Sequence, residues 1–230
     1  MRNVLTIFRK QLKDTLKNKT VLIQFLMFPI LTLVMNNAIK IDGMPENFFV
    51  NLFAAMYVGM APLTSMAAII AEEKENNTLR VLMMSNVKPH EYLVGVGSYV
   101  WFACMLGAAI ICIAGSFKPQ TGAAFMGVMA AGIFVSLLAG AAIGTWSKTQ
   151  MMATSLTIPI MMVFSFLPML SMFNTTIAKI AKYTYTEQIS LMLYRIESLN
   201  FHAENFIIVA VNTAVAAALF TAAYQKCGLD

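Results

Sequence analysis

The chain has 230 residues, of which 59% are hydrophobic and 12% charged; an ordinary soluble domain carries about 25% charged residues. Its net charge is +5, but six of its sixteen Lys and Arg residues fall in the first nineteen positions, beside an apolar run. This excludes an ordinary soluble domain and argues against a nucleic-acid binder, and it points to a chain that works in a bilayer.

Six stretches carry no charged residue: residues 20–39, 47–71, 92–117, 119–147, 149–178 and 205–225. At about 1.5 Å per residue, roughly 20 helical residues cross the hydrocarbon core. The expected fold is therefore an all-α membrane protein, one transmembrane domain over residues 1–230. Its six transmembrane helices are placed at about 20–39, 49–71, 92–115, 123–146, 153–173 and 205–224. Residues 1–19 sort on a helical wheel, with Val4, Leu5, Phe8, Leu12 and Leu16 on one face and Arg2, Arg9, Lys10, Lys13 and Lys17 on the adjoining one. That pattern predicts an amphipathic helix in the membrane interface. It serves either as an anchor or as a connecting helix that also touches a cytoplasmic partner. With this segment inside, eleven basic residues lie on the inner side and five on the outer, which puts both termini in the cytoplasm. No A-x-A-like cleavage site follows the first apolar run, so the first span is expected to stay in the mature protein.

Pro29, Pro62, Pro159 and Pro168 fall inside spans and predict kinks. Gly140 and Gly144 form a G-x-x-x-G spacing, which predicts close helix packing. Cys104, Cys112 and Cys227 read as packing residues. The outer segment 174–204 repeats Ile189, Met192, Leu193, Ile196 and Leu199 at helical spacing against Glu187, Gln188, Arg195 and Glu197. It reads as a short extracytoplasmic helical segment, amphipathic or re-entrant, with Glu187 and Glu197 on a solvated face.

No span carries Asp, Glu, Lys, Arg or His in its middle, which argues against a proton-coupled carrier or a voltage sensor. His90 and His202 have no partner at metal-ligand spacing, so no metal site is expected. No phosphate-binding loop and no nucleophile with a base is visible, so the chain reads as a non-enzyme without an energy source of its own. The inner segment 72–91 then becomes the informative one. Asn77 is placed to cap a short helix from Thr78, with Leu79, Leu82 and Met83 on one face, and Pro89 with Glu91 opens the third span. Either this helix docks on another protein or it is a solvated turn.

Residues 71–95 read AEEKENNTLRVLMMSNVKPHEYLVG. This string resembles the inner loop of type-2 ABC exporter permeases, which reads roughly E-[KR]-E-x-G-T-L-E-x-L followed by an acidic residue before G-K. Glu73, Lys74, Glu75, Thr78, Leu79, Leu82, Glu91 and Gly95 match by position. Asn77 replaces the usual Gly, Arg80 an acidic residue and Val96 a Lys. The segment before the last span, which usually contains prolines in that family, has none here.

The resemblance implies a cytoplasmic coupling helix whose Glu73, Lys74, Glu75, Thr78, Leu79, Arg80, Leu82 and Met83 contact a nucleotide-binding ATPase subunit. It implies that Arg9, Lys13 and Lys17 lie on the connecting helix beside the same subunit. It further implies ATP and Mg on that partner with no cofactor in this chain, and a second copy or related permease as partner in the plasma membrane. Asn36, Asn37, Thr64 and Ser65 are candidates for a substrate path. With no charge at mid-membrane and no large outer domain, the expected cargo is an amphiphile: a drug, an antimicrobial peptide or a lipid-like molecule. A non-pumping immunity protein or a channel subunit for a peptide toxin is the alternative.

Overall fold

A bilayer leaves an apolar chain no water with which to satisfy its backbone, and the helix meets that demand internally. The computed structural model describes residues 2–17, 19–39, 45, 47–85 and 87–227, and every regular element among them is helical. In order these are α1 (Arg2–Lys17), α2 (Lys19–Ala38), α3 (Phe48–Glu75), α4 (Thr78–Met84), α5 (Pro89–Ala114), α6 (Pro119–Trp146), α7 (Gln150–Ser171), α8 (Thr175–Ala181), α9 (Tyr185–Tyr194) and α10 (Ala203–Cys227). Five of them, α3, α5, α6, α7 and α10, are long and apolar enough to cross a membrane. The number rises to six if α1 and α2, bent by 69° to one another, count as one crossing. The stretch 40–46 between the first two charge-free runs lies, apart from Pro45, outside the described residues.

The core is organised around α3, which packs against α2, α5, α6, α7 and α9. Small residues make that approach possible. A Cβ on Gly140 would lie 2.4 Å from the Leu63 carbonyl oxygen, and one on Gly144 would lie 3.0 Å from that of Ala67. The G-x-x-x-G pair of α6 is thus the seat of α3. On another side, Gly59 of α3 brings α7 within 2.9 Å of where a Cβ would stand.

Contacts at the helix ends show how the bundle is threaded. At one end the Lys74 ammonium donates to the Thr145 carbonyl at 2.8 Å, and Lys226 lies over the Trp146 ring. At the other, Asn36 of α2 donates to the Ala114 carbonyl of α5 at 2.9 Å, and the rings of Phe48 and Tyr194 meet. We refer to these as the α4 end and the α9 end.

Two sequence expectations are corrected here. Residues 72–75 are not loop but the last turn of α3, because nothing before Asn76 interrupts the helix. And Glu187 does not face solvent. The 174–204 segment folds into α8 and α9, and α9 turns inward against α3, α6, α7 and α10. Three of its polar groups find partners there: Ser171 donates to the Glu187 carboxylate at 2.9 Å, Asn205 to Gln188 at 2.9 Å, and Tyr185 shares a 2.7 Å hydrogen bond with Ser136 in α6. Hydrogen bonds of this kind let a polar face be buried, although the Thr186 hydroxyl on the same helix is buried without one among the described residues. Glu197 does remain exposed.

Candidate functional site

The charged string 72–75 and the short helix after it meet α1 at the α4 end. The link between α3 and α4 is the turn Asn76–Asn77, in which Asn77 takes the left-handed conformation, φ 56°. Its side chain makes no capping bond, so the expected cap is replaced by a conformational role. The Thr78 hydroxyl donates to the Glu73 carbonyl at 3.1 Å, closing the turn.

Three consecutive side chains tie the end of α3 to its neighbours. Glu73 is buried, and its Oε1 accepts from the Gln11 amide at 2.6 Å and from the Lys10 ammonium, both on α1. Lys74 reaches α6, as described. Glu75 Oε2 accepts from the Gln150 backbone N–H at 2.7 Å, at the start of α7. A small cavity of about 190 Å³, lined by Gln11, Asp14, Glu72, Glu73 and Thr78 among others, sits where α1, α3 and α4 converge.

On α4 the structure divides the predicted contact residues. Leu79 is 1% exposed and packs into the core, with Leu82 and Met83 partly buried against the same core. The outward face carries Arg80, Val81 (61% exposed) and Met84 (81% exposed). Leu79, Leu82 and Met83 do share a face, as their spacing predicts, but that face is turned to the chain's own bundle. Glu73 and Leu79 are therefore corrected from partner-facing to inward-facing residues: burying them satisfies the chain itself. Thr78 stays exposed.

On α1, Arg9, Lys13 and Lys17 are exposed, as are Leu5, Leu12 and Leu16. Ile7, Gln11 and Thr15 turn inward. Gln11 is hidden in the sequence because a polar residue does not mark a packing face; its place in a stripe spaced by four with Ile7 and Thr15 is the available signal.

The four path candidates do not come together. Asn37 donates to the Leu33 carbonyl of its own helix and Thr64 to that of Met60, each at 2.8 Å. Asn36 binds α5, and Ser65 contacts Gln24 of α2 at 3.3 Å. Asn36 and Asn37 stand at the α9 end of α2, whereas Thr64 and Ser65 lie well along α3.

A family model described as "ABC-2 family transporter protein" matches residues 3–224. The chain belongs to the ABC-2 transporter family. Among curated proteins, none matches the chain. Membership makes it a multi-pass membrane permease, a transport subunit of an ABC transporter.

Two of the permease's departures from the usual inner-loop pattern acquire physical reasons. Asn77 stands where Gly is usual, and it is left-handed; Asn is among the few residues other than Gly that tolerate that conformation. Val96, standing in place of Lys, is fully buried, where an unpaired cation would be costly.

Proposed function

We propose that this permease is the membrane half of an ATP-driven exporter, worked by a separate nucleotide-binding ATPase that carries ATP and Mg. The carrying observation is the outward face of α4, Arg80, Val81 and Met84, hung by a two-residue turn on the central helix. An exposed valine and methionine beside a cation fit a groove with an apolar floor and an acidic rim.

A push on α4 has a direct route inward. The Asn76–Asn77 turn is short and bonded, so displacement reaches α3 with little slack. Glu73 carries it to α1, Lys74 to α6 and Glu75 to α7. Arg9, Lys13 and Lys17, exposed on α1, face anionic headgroups or the same ATPase. In this reading α2 is the first of six crossings, both termini are cytoplasmic, and a second copy or related permease completes the path.

The cargo we propose is an amphiphile moved outward. Support comes from α5, α6, α7 and α10, whose interiors hold no charged residue that would bind an ionic cargo at mid-membrane. Of the polar path candidates, Asn37 is the exposed one and the best placed to meet cargo.

The test is affinity purification from membranes of the native host, with mass spectrometry of the companions. An ATPase that accompanies the native chain and is lost from Val81→Asp/Met84→Asp supports the reading. A folded, membrane-inserted chain that brings no ATPase overturns it.

A further inference from the structure

Two cavities adjoin on the flank of α5. The deeper, about 470 Å³, is walled by Met66, Gly97, Trp101, Phe134, Leu138 and Phe220 and is almost wholly apolar. That volume falls in the range of about 300–1,000 Å³ usual for ligand pockets. The second, also about 470 Å³, lies at the α4 end between α1 and α5, with Val4, Leu5 and Phe8 on one side and His90 and Glu91 on the other. Val94 and Ser98 line both cavities, so the two form one groove.

The dimensions select the occupant. On α5 the lining runs from His90 to Trp101, twelve residues joined by eleven rises, or about 16 Å of helix. That is close to half of the roughly 30 Å hydrocarbon core, the depth of one leaflet. A transmembrane helix of a partner would need a groove through both leaflets, and this one ends at Trp101. Polarity is confined to the α4 end, where the Glu91 carboxylate accepts from the Asn3 amide at 3.0 Å beside the exposed His90. An apolar slot one leaflet deep with a polar mouth at the membrane surface matches one class of molecule.

We propose that this groove holds a single glycerophospholipid from the leaflet at the α4 end, an acyl chain between α3, α5, α6 and α10 and the headgroup at His90 and Glu91. The flank is open to the bilayer: Val94 and Trp101 are both exposed there. The proposal stands apart from the ATPase reading and holds whether or not a partner is found.

Native mass spectrometry of the permease, purified with mixed phosphatidylethanolamine and phosphatidylglycerol, tests it. The expected result is one phospholipid retained per chain at detergent levels that strip other lipid. Val94→Trp should weaken retention at least about tenfold, about 1.4 kcal/mol. Ile113→Trp, on the same helix but outside the groove, should leave it unchanged. A native chain without lipid, or equal retention in Val94→Trp, overturns the proposal. Trp101 gives a second readout that does not require the groove to be altered. In Trp146→Phe, it should be quenched by an acyl-brominated phosphatidylethanolamine added to micelles, saturating at one lipid per chain. Quenching that never saturates, or none, overturns the proposal equally.

Discussion

The Gln11 amide donates to Glu73 Oε1 at 2.6 Å, and through that bond the amphipathic α1 is fastened to the last turn of the central helix. The Lys10 ammonium shares the same oxygen. A helix whose sequence places it in the membrane interface is thereby also part of the bundle's framework.

Glu73→Ala should lower stability by about 1–3 kcal/mol, because it leaves the buried Gln11 amide without its acceptor. Glu73→Gln, which keeps an acceptor oxygen, should cost less. Thermal unfolding in detergent orders the three proteins, and an Ala variant as stable as the native chain would remove Glu73 from the framework.

Two glycines of α6 should respond in opposite senses. Gly140→Ala drives a methyl into the Leu63 backbone, so α3 and α6 must part, at about 1–3 kcal/mol. Gly127 has nothing within 4 Å of its would-be Cβ. Gly127→Ala should be neutral or should stabilise the helix by up to about 1 kcal/mol. Melting temperatures of the two variants decide it.

Asn77→Gly should be silent, since glycine accepts the left-handed turn freely. Asn77→Val should cost about 1–2 kcal/mol and loosen α4. Limited proteolysis between Glu75 and Arg80, compared across the three proteins, reads this directly.

Burial raises the Glu187 carboxyl above its ordinary value of 4.5, with the Ser171 hydroxyl pulling the other way. The folded chain thus holds this proton more tightly than the unfolded one. Its contribution is fully present below pH 4.5 and is lost as pH rises through the elevated folded value. Glu187→Gln should therefore gain on the native chain as pH rises across that window. Stability curves that stay parallel at every pH would contradict the burial of a titrating group.

Much of this was legible along the chain. The uncharged runs announce helices because a charge within them would be expensive in lipid, and Pro89 marks the start of α5 because its missing N–H costs nothing at a helix's first turn. The spacing of Leu79, Leu82 and Met83 announces an amphipathic α4. What spacing does not carry is which way such a face points. The pattern is compatible with Leu79 meeting a partner, whereas the fold buries it at home and leaves Val81 and Met84 outside. The local pattern makes Glu187 look solvated because its partners, Ser171 and the helices around it, come from elsewhere in the chain.

The sequence alone determined that this protein lives in a bilayer, which parts of it are helical and where its family motif lies, since composition, periodicity and residue type are local properties. Tertiary structure alone decided that α3 is the central helix, that α9 turns into the bundle and that Glu73 joins α1 to α3. Those outcomes depend on pairings between residues far apart in the chain, such as Ser136 with the Val58 carbonyl, 78 positions away. Hydrogen bonds and close packing of that kind are selected by three-dimensional fit, and periodicity within a single helix does not encode its neighbour.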